Sequence, residues 1–374
     1  MTPHPLRLAA RVSGFAALAL MLALPAGVAA TTNEPIAQTG GMTATLPLLG
    51  TSLTVAVTLG DTGDISGVSL SPATGLSQTS PPTDKEVVRF STSDGTTKVT
   101  VKAIGSRLSI VAKSSTLASI EGSANWSADV FGTGSKSTVP YTIGDDGSGH
   151  PTLAIGPAST PSGIAASAIA VKTKTSGDGS GASGGVMFAY QGFVKRLTIS
   201  VWVDKDGKAA EKITLSGKDR QKLSGSLADL AGARTWTAHT CDGTKVTVAY
   251  HVASDGTIAY DGATGATATE KAFSFPNGLG KDWNKFKFKD KTKPSTAPKT
   301  TIVSVNGIGV RFDKSRVGVL IALVKKSDGT YTLVVDGRSG DCGKGHHHRH
   351  GWGFGHMRGA PGIHSADKTG DSKH

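Results

Sequence analysis

The side chains best suited to chemistry in this sequence are histidines and lysines, and both are clustered. Seven of the eleven histidines lie from His346 onward. His346-His347-His348-Arg349-His350 is followed by His356-Met357. Neutral imidazole ligates Zn, Cu and Ni, and a thioether adds a soft donor for Cu(I). His346, His347, His348, His350, His356 and Met357 are therefore candidate metal ligands. A Gly-rich tail lets several imidazoles wrap one ion but supplies no fixed outer shell, which a catalytic metal needs. The chemistry expected is uptake of Cu, Zn or Ni, with no cofactor required for folding or activity. Near pH 6.5 the same tail gains positive charge as its imidazoles protonate.

The lysines form the second cluster. The chain's formal charge is +12, and residues 271–326 hold 13 basic against 3 acidic side chains. Residues 31–270 hold 19 basic and 20 acidic, so the excess of the mature chain sits in one segment. Within it Lys285-Phe286-Lys287-Phe288-Lys289 alternates strictly. On a strand this puts lysines on one face and phenylalanines on the other. Lys281, Lys285, Lys287, Lys289, Lys291, Lys293 and Lys299 are candidate polyanion ligands, whose attraction weakens as salt screens it. The expected partner is an anionic cell-envelope polymer or membrane surface. No helix presents Arg for base reading, so no specific nucleic acid is expected.

Cys241 and Cys342 are the only cysteines. A bond between them would close a loop of about 100 residues, worth roughly 4–5 kcal/mol in the chain-entropy model. The export signal described next favours that disulfide over a free thiol beside the histidines.

Catalytic patterns are missing. There is no H-E-x-x-H, C-x-x-C or P-loop. Gly181-Ala182-Ser183-Gly184-Gly185 matches G-x-S-x-G but lies in a Gly/Ser-rich run, without the strand and helix of a nucleophile elbow. Asp204-Lys205-Asp206-Gly207 is a fragment of a calcium loop without its closing Glu. His150, His239 and His251 are isolated in the sequence. A non-catalytic protein is expected.

Arg7 and Arg11 precede an apolar stretch from Val12 to Leu24, then Pro25 and the small residues Val28-Ala29-Ala30. This is the layout of a secretory signal peptide, and the stretch is short for a bilayer span. A secreted or envelope-associated protein starting near Thr31 is expected, with no transmembrane span in the mature chain.

The elements that must position these residues are strands. Asp-Gly occurs nine times, mostly between alternating apolar runs such as Val246–Tyr250 and Tyr331–Val335. Asp and Gly suit tight hairpin turns, and alternation puts one apolar face on each strand. The fold class expected is mainly β, with α+β as a variant: two antiparallel hairpin-rich modules, each with at most one short helix. One helix is expected after the Ser216/Asp219 start signal, carrying Leu223, Leu227 and Leu230 on one stripe. The set Leu117, Ile120, Gly122, Trp126 and Tyr141 echoes Leu227, Leu230, Gly232, Trp236 and Tyr250, which suggests an internal repeat with both tryptophans in the core. Composition places a signal peptide at 1–30, a linker at 31–43, module 1 at 44–172, a Gly/Ser linker at 173–185, module 2 at 186–342 and a disordered His/Gly-rich tail at 343–374.

The helix at 218–231, the strands meeting at Asp255-Gly256 and the ending Tyr260-Asp-Gly-Ala-Thr-Gly265 resemble a PepSY module. The likeness covers fewer than 50 residues. It implies a small extracytoplasmic unit associated with peptidase regulation. Three functions follow from the whole reading: a secreted binder of an anionic polymer, a buffer of transition metals, and an extracytoplasmic peptidase inhibitor.

Overall fold

The computed structural model describes residues 31–33, 41–275 and 302–338, apart from 49, 61–62, 73–74, 82–85, 105–106, 241 and 314–316. The signal peptide, the lysines from Lys281 to Lys299, both cysteines and the His-rich tail lie outside the described residues.

The described chain is a succession of antiparallel hairpins. A short strand β1 (Thr31–Asn33) precedes the meander β2 (Met42–Leu48), β3 (Thr51–Leu59) and β4 (Ile65–Ser71). A second meander follows: β5 (Ser77–Gln78), β6 (Val87–Ser91), β7 (Lys98–Ile104) and β8 (Arg107–Ser114). A 3-10 turn at Leu117–Ser119 leads into β9 (Gly122–Ala128), β10 (Ser137–Asp145) and β11 (Pro151–Ile155). Four long strands come next: β12 (Ala165–Ser176), β13 (Gly179–Tyr190), β14 (Phe193–Asp204) and β15 (Ala209–Gly225). One helical turn, α1 (Leu227–Leu230), precedes β16 (Gly232–His239), β17 (Lys245–Val252) and β18 (Ile258–Thr264). The last group is β19 (Ala268–Phe275), β20 (Ile302–Phe312), β21 (Gly318–Lys326) and β22 (Tyr331–Arg338).

These strands make three sheets. One has the order β11-β10-β9-β2-β3-β4, and a second the order β1-β16-β17-β18. The third runs β19-β20-β21-β22-β15-β8-β7-β6-β5, with β12, β13 and β14 branching from it through β15. Alternate residues of each sheet meet in two main cores. The first gathers buried side chains between Met42 and Leu215, including Trp126, Phe188 and Ile110. The second gathers those between Leu230 and Val335, including Trp236, Tyr250 and Phe312. Both tryptophans are core residues, at 0% and 2% exposure. Trp126 stacks on Phe188 across the first core, with ring centroids 5.7 Å apart. Trp236 covers Gly337, whose hypothetical Cβ would stand 2.6 Å from the indole Nε1.

The expected Gly/Ser linker is instead the β12–β13 hairpin. Lys172 faces Ser183, Lys174 faces Gly181, and Ser176 faces Gly179. Glycine serves close approach here, not flexibility. A Cβ at Gly184 would meet Val171 at 2.8 Å and Ile155 at 2.9 Å, and one at Gly185 would meet the Leu197 carbonyl oxygen at 2.0 Å. The division between the two cores falls along β15, where pairing with β14 shifts register between Phe193 and Lys195 opposite Gln221 and Gly217.

The expected helix is mostly strand as well. β15 continues to Gly225, and the helix is the single turn Leu227–Leu230. The signal that starts it is Ser226 with Asp229, a complete capping box ten residues after Ser216 and Asp219. Leu223, Leu227 and Leu230 all reach the second core, but from a strand end, a turn and a helix end.

A carboxyl group lies deep in the first core. Glu211 is 1% exposed. Its Oε1 accepts a hydrogen bond from the Tyr141 hydroxyl, and its Oε2 has no partner among the described residues. Burial pushes the carboxyl up to about 7, against a smaller pull downward from the tyrosine hydrogen bond. Burial and the neighbouring carboxylate hold the Tyr141 phenol well above its usual value.

Two outcomes follow. Gly184→Val should destabilise the fold by about 1–3 kcal/mol through overpacking, whereas a linker position would be near neutral; urea unfolding reads the difference. A carboxyl raised on folding contributes stability that is complete below its unfolded value, 4.5, and is lost as pH rises through about 7. The urea midpoint should therefore fall between pH 4.5 and 8, and Glu211→Gln should flatten that fall.

Candidate polyanion-binding face

Strand alternation gives the third sheet an inner face on the cores and an outer face. On β15, Ala209, Glu211, Ile213 and Leu215 point inward, so Ala210, Lys212, Thr214 and Ser216 share the outer side. Cross-strand register carries that side across the neighbouring strands. Lys212 faces Val111 of β8 and Ser200 of β14. Ala210 faces Lys113 and Trp202, and Lys113 in turn faces Lys98 of β7.

The outer face is strongly basic. β6 contributes Arg89, β7 contributes Lys98 and Lys102, and β8 contributes Arg107 and Lys113. β15 adds Lys212, β14 adds Arg196, and β12 adds Lys172 and Lys174. All are exposed except Lys212, which is half-buried. None makes an ion pair among the described residues. Short hydroxyls stand between many of them, at Thr100, Ser109, Ser183, Thr198, Ser200 and Thr214, with aliphatic side chains at Ile104, Val111, Met187 and Val194. Asp204, at the end of β14, is the one acidic residue of these strands on this face among the described residues.

The near-neutral charge balance of residues 31–270 conceals this face, because acids and bases occupy different places. The acids sit in the turns. In Asp94-Gly95-Thr96, Asp242-Gly243-Thr244, Asp255-Gly256-Thr257 and Asp328-Gly329-Thr330 the Asp Oδ1 accepts the N–H two residues on. The glycine then takes positive φ, from 70° to 86°, which only glycine adopts freely. These hydrogen bonds hold the four carboxyls below the usual range. The largest cause is a threonine hydroxyl at Asp94, Asp242 and Asp328, and the Thr257 N–H at Asp255. The Asp204–Gly207 fragment is a turn of the same kind, with Asp204 Oδ1 accepting from the N–H groups of Asp206 and Lys208, both at 2.9 Å.

The outer face also holds a shallow hollow of about 400 Å3. Lys98, Lys113, Lys208, Trp202, Asp94 and Asp204 line it.

Two histidines that look isolated in the sequence meet carboxylates in space. His150 Nδ1 lies 3.0 Å from Asp146, and His251 Nδ1 lies 2.7 Å from Asp261. Both pairs are solvent-exposed. No hydrogen bond joins either imidazole to a hydroxyl or thiol among the described residues, so neither has the nucleophile–base geometry of a hydrolase. Ser183 pairs with Ser200, Oγ to Oγ at 2.8 Å, on a flat strand. No group of three metal-ligating side chains occurs among the described residues.

None of the candidate ligands read from the sequence falls within the described residues. Lys281, Lys285, Lys287, Lys289, Lys291, Lys293 and Lys299 belong to the connection between Phe275 and Ile302. That connection joins β19 to β20, two paired strands of the third sheet. The basic face itself was legible only as scattered lysines at strand spacing, such as Lys98 with Lys102 and Lys172 with Lys174.

No family model matches this chain, and neither curated proteins nor solved structures give a match. The segment resembling a PepSY module carries the β17–β18 hairpin, but its helix is a single turn.

Lys98 and Lys113 stand directly opposite one another. Like charges so placed destabilise an antiparallel pair. Lys113→Gln should therefore stabilise the fold by about 0.2–1 kcal/mol at low salt, with the gain vanishing as salt is added. Urea midpoints at 0.02 M and 0.5 M NaCl check this.

Proposed function

We propose that the protein is a secreted, non-catalytic binding protein that associates with an anionic polymer of the cell envelope or its surroundings. The observation that carries this reading is the outer face of the third sheet, where nine basic side chains lie without ion pairs among the described residues and the carboxylates of Asp94 and Asp204 stand at the rim. A solubility role needs mixed charge, not one sign gathered on one face. Such a face raises the local concentration of polyanions and speeds their association. Lys281 to Lys299, in the connection between the paired strands β19 and β20, are proposed as further polyanion ligands on the strength of their charge and spacing alone. The short hydroxyls between the lysines supply donors and acceptors without adding bulk, so an extended chain can lie flat.

We propose also that the two halves descend from one duplicated unit. A helical turn, a glycine at positive φ (Gly122, Gly232), a strand with a buried Trp and a strand with a buried Tyr recur in the same order. This supports the repeat seen in the sequence.

The test compares the mature protein with a variant carrying Lys98→Gln, Lys113→Gln and Lys212→Gln, and with one carrying Gln at 285, 287 and 289. Binding to an immobilised anionic polymer is measured at 0.05 M and 0.5 M NaCl. The wild type should bind at low salt and release at high salt. The sheet variant should lose at least roughly tenfold in affinity at low salt, as expected for a focused electrostatic surface. Equal binding by the wild type at both salts would overturn the reading.

A further inference from the structure

Trp202 is the one aromatic side chain on this basic face among the described residues of β6, β7, β8 and β12 to β15. Ile104 and Val194, the exposed aliphatics there, lie toward the other strand ends. The strand neighbours of Trp202 on that face are Ser200 and Asp204, and its cross-strand neighbours are Gly181 and Ala210. Both of the latter are too small to cover an indole. A Cβ at Gly181 would already meet Trp202 Cβ at 3.2 Å. The ring is half-exposed and lines the hollow together with Lys98, Lys113 and Lys208. By contrast Trp126 and Phe188, in the core of this half, are fully buried and pack on one another. Trp202 thus contributes a flat apolar platform to a hollow lined by three lysines and the carboxylates of Asp94 and Asp204.

We infer that this hollow is the subsite for one sugar unit of an anionic glycan, resting on the polymer-binding reading above. The apolar C–H face of a pyranose stacks on the Trp202 indole, and Lys98 and Lys113 take its carboxylate, phosphate or sulfate substituent. Asp204 favours a sugar over a phosphodiester chain. Its Oδ1 is occupied by two backbone N–H groups, but its Oδ2 takes no hydrogen bond among the described residues. A carboxylate oxygen held there accepts from sugar hydroxyls, donors that the linkages of a polyphosphate chain do not offer.

The test uses the full mature chain and three probes of matched charge: an oligomer of uronic acid, linear polyphosphate and single-stranded DNA. Trp202→Ala is compared with Trp202→Tyr, which keeps a ring and guards against a fold defect. The expected result is a roughly tenfold loss of uronate affinity in Trp202→Ala, equivalent to about 1.4 kcal/mol. Trp202→Tyr should stay within about threefold, and polyphosphate binding should not change. If uronate and polyphosphate bind alike and neither responds to Trp202→Ala, the sugar subsite is wrong and polymer binding stands. A loss shared by polyphosphate, or an equal loss for DNA, overturns the subsite too. If the wild type binds no probe, the polymer-binding reading falls with it.

Discussion

β15 is hydrogen-bonded along its first half to β14 on one side and β8 on the other, and along its second half to β22. The three arms of the long sheet, ending at β19, β5 and β12, meet at this one element. The two cores are therefore held together by backbone ladder pairing rather than by a hinge. Its first half buries Ile213 and Leu215 in one core, and its second half places Leu223 against the other. Gln221 seals the change of partner, with its Nε2 donating to the Gln191 carbonyl at 2.8 Å. Arg220 pairs with Asp336 on the adjoining strand. A single strand serving both cores fixes the inner side of the sheet, and so dictates which side chains remain outside.

That constraint explains the basic face. Along each strand the residues that fill the core leave the alternate positions to solvent, and those positions carry Lys, Arg, Ser and Thr. The carboxylates are needed elsewhere, because an Asp that accepts backbone N–H groups stabilises each tight turn. Local turn chemistry draws the acids to the strand ends while the bases stay on the face. Charge balance in the sequence thus coexists with charge separation in space.

Much of the architecture was legible because hairpin chemistry is local. The turns at Asp255-Gly256 and Asp328-Gly329 and the burial of Trp126 and Trp236 follow from residues within a few positions. The failures come from long-range effects. Gly181 to Gly185 read as a linker because composition records no partner, whereas Leu197, Val171 and Ile155 press on that backbone. Ser216 and Asp219 read as a helix start because spacing alone does not show that β8 pairs with β15 up to Ser216. The outer face is not legible in the sequence because its basic residues come from six separate strands, and adjacency between them exists only in the register. Trp202 gave no signal in sequence beyond its identity.

The outermost strand of the branch has a consequence for self-assembly. β12 is twelve residues long, pairs only with β13, and is exposed along nearly its whole length. A free ladder of that length is a template onto which another chain can add. Here the register is broken by an irregularity between Ile169 and Lys172, and Lys172 and Lys174 stand beside the break. An incoming strand would lose pairing at the bulge and meet two cations where it needs close contact. Lys172 and Lys174 at this border thus also guard the sheet against growth into fibrils.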